Sequence, residues 1–201
     1  MSKHRIILIR HARTKGNDER RYIGCSINEP VSEEGLISLK SIDADKLPVC
    51  DRLFCGSMIR CITTSKCLFP NMEAEIIPDL TEMDFGLFEG KNHEDLKDDP
   101  YYIRWIESNG TLPFPEGEDM ERFTLRSIEA FKDILNRLKG DESAAVICHG
   151  GNIMAIISAL TGGKYFDHMV NNLEGYCMDI TYDGERIDVL SYERLGAWID
   201  P

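Results

Sequence analysis

The sequence predicts an α/β fold, a three-layer α/β/α sandwich with a mostly parallel central sheet, on three observations. Residues 5–9 (RIILI) and Ala144–Cys148 (AAVIC) are short apolar runs without alternation, the pattern of strands buried on both faces. In two places a strand-like run leads through a tight turn into a helix, at residues 52–68 and 144–160. Strands also alternate with helices along most of the chain, and ligands of such sheets gather beyond the carboxyl ends of the strands.

Each element has a local reason. After the run at 5–9, Ser32-Glu33-Glu34-Gly35 opens a helix extending to about Lys46, because Glu33 and Glu34 suit the positive end of a helix. Gly35 at the fourth position does not complete a capping box. Residues 52–55 (RLFC) form a short strand, and Ser57 is the expected N-cap of the helix carrying Ile59, Ile62 and Leu68. From 89 to 121 the chain turns polar and aromatic and is interrupted by Pro100, Gly110, Pro113, Pro115 and Gly117, as an insertion would be. Residues 120–138 regain helical period through Phe123, Ile128, Phe131, Ile134, Leu135 and Leu138, with Gly140 as the stop. His149-Gly150-Gly151-Asn152 follows the AAVIC strand and opens an apolar helix, IMAIISAL. Residues 176–180 and 187–192 form a hairpin about Asp183-Gly184.

Composition bounds the function. The 201 residues carry 42% hydrophobic and 29% charged side chains, enough core and surface for a single domain over 1–201 with the 89–121 insertion inside it. A net charge of −12 argues against a broad nucleic-acid-binding face but allows a local basic pocket. Seven cysteines, an odd number without a C-x-x-C pair, indicate reduced thiols. The start of the chain lacks a signal-like apolar stretch, and no apolar run is long enough to span a membrane. A cytoplasmic protein without membrane or nucleic-acid partners is expected; oligomeric state leaves no mark on the sequence.

The chemistry concentrates at the predicted strand ends. Arg10 and His11 follow the first strand, His149 follows the AAVIC strand, and Arg60 lies in the first turn of the helix after RLFC. Two guanidinium groups, two imidazoles and glycine N–H groups make a pocket suited to phosphate. An imidazole held neutral among cations can attack phosphorus while arginines take up the developing charge. Glu82 is the candidate acid for the leaving oxygen. Cys148 is expected to be a buried, unactivated thiol. His4, His93 and His168 are expected at the surface, with no spacing that completes a metal site. Abundant acidic pairs set no glycosidase spacing, and G-x-G-x-x-G is absent.

LIRHARTKGN, SMIRCITTS, EMDFGLFEGK and ICHGGN occur in that order, and with these four segments the chain resembles the histidine phosphatase superfamily over about residues 5 to 155. The relevant branch includes phosphoglycerate mutases, fructose-2,6-bisphosphatases and α-ribazole phosphatases. The resemblance implies the phosphoglycerate mutase-like fold, His11 as the phosphorylated nucleophile, Arg10, Arg60 and His149 as holders of the phosphoryl group, and Glu82 as proton donor. It also implies phosphate or substrate contacts from Asn17, the Ile23-Gly24 backbone and Gly150.

Several positions depart from the family pattern. Ala12 replaces the usual glycine but keeps the carbonyl that could orient the imidazole. Arg13 and Gly16 predict a more open and more basic rim, and Met83 with Phe85, where mutases carry arginine and tyrosine, favours a phosphatase. The expectation is a phosphatase acting on a small phosphorylated metabolite without metal or cofactor. A mutase and a non-catalytic phospho-ligand module remain the alternatives. Lys91, Tyr101, Tyr102, Arg104 and Trp105 are the insertion residues that could meet a leaving group.

Overall fold

A computed structural model describes residues 1–43 and 46–196. Its centre is a six-stranded sheet of β1 (Ser2–Arg10), β2 (Arg52–Gly56), β3 (Glu75–Ile77), β4 (Ala144–Cys148), β5 (Gly175–Tyr182) and β6 (Ile187–Leu195). The spatial order is β3-β2-β4-β1-β5-β6; the first four are mutually parallel, and β5 and β6 add an antiparallel edge.

Alternation along the central strands sorts their side chains onto two helical layers. Ile6, Leu8, Phe54, Val146 and Cys148 face α6 (Met120–Arg137) and α7 (Gly150–Thr161). Ile7, Ile9, Leu53, Cys55 and Ile147 face α2 (Glu33–Ser41) and α3 (Ile59–Leu68). A third apolar cluster gathers Phe88, Tyr102, Trp105 and Phe114, and so folds the segment 89–121 onto the body. Within that segment lie α4 (His93–Leu96) and α5 (Pro100–Glu107), each begun by an Asn or Asp cap, with proline at the first position of α5. A four-residue helix, α1 (Lys15–Asp18), is capped by Thr14, whose own N–H donates to the Asn17 side chain.

Sequence and structure differ at several points. The chain before α3 is capped at Met58 without a side-chain hydrogen bond, so Ser57 is not the N-cap. Ser32 does cap α2, but that helix ends at Ser41, short of Lys46. The strand β3 has three residues, too short for a periodic signal. His4 and His168 are buried rather than at the surface. Because β1 starts at Ser2, His4 shares the inward face of Ile6 and Leu8, where its Nδ1 lies 2.8 Å from the Glu142 carbonyl. His168 packs on Tyr176 with its Nε2 3.1 Å from the Gly162 carbonyl.

Phe131, on α6, is fully enclosed between helix and sheet. Phe131→Ala should cost about 3–5 kcal/mol of unfolding free energy, read as a lowered midpoint in urea at unchanged slope.

Candidate active site

The site is assembled at the carboxyl ends of β1 and β4. Arg10 pairs with Cys148 in the parallel ladder, and one rung further the His11 N–H donates to the Cys148 carbonyl at 3.0 Å. On the other side the Leu173 N–H donates to the Arg10 carbonyl, also at 3.0 Å. Strand pairing on both sides therefore sets where residues 10 and 11 lie before any side chain acts.

His11 is almost wholly buried, and its Nδ1 lies 2.8 Å from the Ala12 carbonyl. A carbonyl can only accept, so Nδ1 carries the proton and Nε2 keeps its lone pair. Burial first, then Arg60 and Arg10, hold the imidazole pKa well below its ordinary value, so it is neutral at pH 7. Ala12 does orient the ring, and its own N–H donates to Thr64 Oγ1 at 2.9 Å, tying the turn to α3.

His149 ends β4 and precedes α7. Its ring lies edge-on to that of His11, with centroids 5.0 Å apart, and it too is kept neutral by burial and by neighbouring cations. His149 Nε2 is 3.4 Å from Cys61 Sγ. Arg60 is fully enclosed and anchored by bonds to the Ile27 and Gly24 carbonyls, at 2.8 and 3.1 Å. Arg10 is anchored to the Val170 carbonyl at 2.7 Å. Arg10 Nε, Arg60 Nε and His149 Nδ1 are buried without hydrogen-bond partners among the described residues. Unmet buried guanidinium N–H groups beside an unpartnered imidazole nitrogen are costly in an isolated protein, and an anion is the group that would meet them.

Glu82 faces this cluster from the segment between β3 and the short 3-10 turn Gly86–Phe88. Its carboxylate accepts from the Met83 N–H at 2.9 Å and the Gly151 N–H at 3.3 Å. Burial raises its pKa, against the opposing pull of those hydrogen bonds and of Arg10 and Arg60. Glycine at 151 leaves room for the acid, because a Cβ there would push on the Glu82 carboxylate and Phe123. Gly150, the first residue of α7, lies against the Arg10 side chain.

The remaining positions singled out in the sequence divide. Asn17 belongs to the cluster: its Oδ1 accepts from the Thr14 N–H and from Asn172 Nδ2 at 3.2 and 3.1 Å, which leaves its amide NH₂ as the available donor. Gly24 is engaged at both backbone groups, its N–H by Glu89 and its carbonyl by Arg60, so with the neighbouring buried Ile23 it braces Arg60. Of the expected open and basic rim, the openness at Gly16 is not found among the described residues. Arg13 is paired with Asp18 at 2.6 Å, and the space beside Gly16 is filled by Ile23 and Glu29. Cys148 is buried, with its thiol pKa raised by that burial.

From Arg10, Glu82 and Gly150 a chamber of about 250 Å³ opens beneath the segment 89–121. Phe85, Trp105 and Phe114 form one wall; Met154, Tyr165 and Met169 form another. Of the insertion residues expected near a leaving group, Trp105 lines the chamber, whereas Lys91, Tyr101, Tyr102 and Arg104 do not. Arg104 lies over the Tyr101 ring instead.

Sequence reasoning missed Asn172, whose Nδ2 donates to the His11 carbonyl at 2.9 Å as well as to Asn17. The signal was indirect: residues just before a strand antiparallel to β1 must abut the end of β1.

An α/β sandwich with two arginines and two imidazoles gathered at its strand ends has the makings of an anion site. Residues 6–193 match the family model of the histidine phosphatase superfamily (branch 1), and the chain belongs to that superfamily of enzymes. It is 27% identical over 162 residues to the adenosylcobalamin/alpha-ribazole phosphatase of Salmonella typhimurium, covering 78% of this chain and 79% of the relative. The alpha-ribazole phosphatase structure from Shigella flexneri shares the fold with a TM-score of 0.76 at 23% identity, over 96% of each chain. A phosphoglycerate mutase structure from Thermus thermophilus is similar at TM-score 0.70 and 26% identity, over 96% of this chain and 99% of that one. Among the described residues no helix is long and apolar enough to cross a membrane.

Proposed function

We propose that this protein hydrolyses a small phosphomonoester whose alcohol carries a flat apolar ring, in the manner of α-ribazole 5′-phosphate, through a phosphohistidine on His11. The observation that carries the reading is the set of unpartnered buried nitrogens, Arg10 Nε, Arg60 Nε and His149 Nδ1, around a neutral imidazole with a free Nε2.

The His11 Nε2 lone pair forms the N–P bond as the P–O bond to the alcohol breaks. The departing oxygen keeps that electron pair and takes the proton of Glu82. Arg10, Arg60, His149 and the Asn17 amide hold the phosphoryl oxygens, and the first N–H of α7, at Gly150, adds a backbone donor. The Glu82 carboxylate then takes a proton from water, the hydroxide oxygen bonds phosphorus, and the P–N bond breaks to release inorganic phosphate and neutral His11. Charge neutralisation falls to the arginines, so turnover is expected to persist undiminished in EDTA.

Hydrolysis is favoured over mutation by the chamber. Among the described residues its lining carries one cation, Arg10, at the phosphoryl end, and its outer walls are apolar, unsuited to the carboxylate of a phosphoglycerate.

Phosphate release and phosphoglycerate isomerisation should be measured in parallel on α-ribazole 5′-phosphate, p-nitrophenyl phosphate, 3-phosphoglycerate and a hexose phosphate. The ring-bearing esters should exceed the others in kcat/KM by about 10²-fold, and Trp105→Ala should cut that preference by about tenfold, the worth of a buried aromatic contact. Isomerisation faster than phosphate release would favour the mutase, and binding without turnover of any of them would favour the non-catalytic module.

A further inference from the structure

Glu82 stands in a connection without regular structure, yet a general acid must keep its proton within hydrogen-bond reach of the leaving oxygen. We propose that Arg126, on α6, is the positioning residue of this acid, an inference that rests on the reading of Glu82 given above. The Arg126 guanidinium gathers the backbone of the acid segment. Nη1 donates to the Asp79 carbonyl at 2.6 Å and to the carbonyl and hydroxyl of Thr81 at 3.2 and 3.1 Å, while Nη2 lies 3.5 Å from the Glu82 carbonyl.

The other edge of the same fork is held by Glu118. Nε and Nη2 donate to its two carboxylate oxygens at 3.1 and 2.9 Å, and the pair is largely shielded from solvent. Glu118 also receives the Asp84 N–H at 3.4 Å and donates its own N–H to the Asp84 carbonyl at 2.9 Å. Residues 79, 81, 82 and 84 are thus fastened through one guanidinium and its carboxylate, with Asn152 Nδ2 on the Thr81 carbonyl as a second brace at 3.1 Å. Phe123 lies 5.1 Å beneath the guanidinium and supports its plane. Lysine offers a point charge and no planar fork, so it could not serve the carbonyls and Glu118 together.

A brace of the acid leaves a kinetic signature that loss of folded protein does not. kcat/KM covers events up to transfer of the phosphoryl group to His11. In that step an alkyl ester needs the proton of Glu82, whereas p-nitrophenolate leaves with little help. Arg126→Met should lower kcat/KM about 30- to 100-fold on an alkyl phosphomonoester and only about threefold on p-nitrophenyl phosphate. Arg126→Lys should recover a minor part of the loss. Glu118→Gln, which retains Arg126 on Phe123, should show the same selectivity in weaker form, about tenfold on the alkyl ester. It carries the test if Arg126→Met does not fold.

Glu82→Gln, run beside these variants, supplies the reference pattern of a missing acid. Equal losses on both substrates in the Arg126 and Glu118 variants, with Glu82→Gln still selective, would overturn the assignment of Arg126 and leave the phosphatase reading standing. Absence of selectivity in Glu82→Gln itself would instead remove Glu82 as the acid, and the inference with it.

Discussion

Replacing His11 by alanine is expected to lower kcat/KM by at least about 10⁴-fold, about 5.5 kcal/mol of transition-state stabilisation, because in the proposed mechanism its Nε2 forms the bond to phosphorus. His149, the neighbouring imidazole, is not expected to rescue the variant, since its Nε2 faces Cys61 Sγ and its Nδ1 is given to the phosphoryl oxygens in the proposed mechanism. The wild-type enzyme, quenched in denaturant during turnover of ³²P-labelled ester, should carry acid-labile, base-stable phosphate at residue 11. The variant should carry none. Activity of His11→Ala within tenfold of wild type would remove the phosphohistidine from the mechanism.

Glu82→Gln should lower kcat/KM on an alkyl phosphomonoester by about 10²- to 10⁴-fold and change the shape of the pH profile. The signs follow from the two displaced pKa values. His11 attacks only when neutral, and burial with Arg60 and Arg10 lowers its pKa, so activity rises with pH along a limb below about 6.5. Glu82 donates only when protonated. Its pKa is raised above the ordinary carboxylate value, so activity falls as pH climbs through that higher value. A bound phosphate dianion displaces the Glu82 pKa further in the same direction. The wild-type profile is therefore expected to be a bell. Glutamine cannot ionise, so the variant should keep the acid limb and lose the alkaline one; an unchanged alkaline limb would assign it to another group.

The elements legible in the sequence are those whose residues meet one environment along their whole length. RIILI and AAVIC form β1 and β4 because central strands are covered on both faces, and the helix at 120–138 forms α6 because one stripe faces the sheet. His11, His149, Arg10, Arg60 and Glu82 are legible because each stands at a strand end or beside a recognisable turn in one of four ordered motifs. Their convergence at one site, with His11, His149, Arg60 and Glu82 buried there, gives those motifs a physical content.

The residues that the sequence misplaces depend on neighbours remote in the chain. His4 reads as a surface residue because the apolar run begins after it, yet pairing with β5 extends β1 to Ser2 and turns His4 inward. Gly16 suggests an open rim, but Ile23 and Glu29 occupy the space a side chain would have taken. Asn172 and Arg126 carry no signal of their own, since each acts on carbonyls tens of residues away in the chain.

Local pattern and motif order are enough to specify a covered parallel sheet and to single out the candidate residues that gather at its strand ends, because periodicity and strand ends are properties of short stretches. Which nitrogen of His11 is free, why Glu82 is hard to ionise, how the acid segment is held and that the chamber is apolar all arise on folding. Each depends on dehydration and hydrogen bonding between segments that the linear order keeps apart, and these forces act only once the layers have closed.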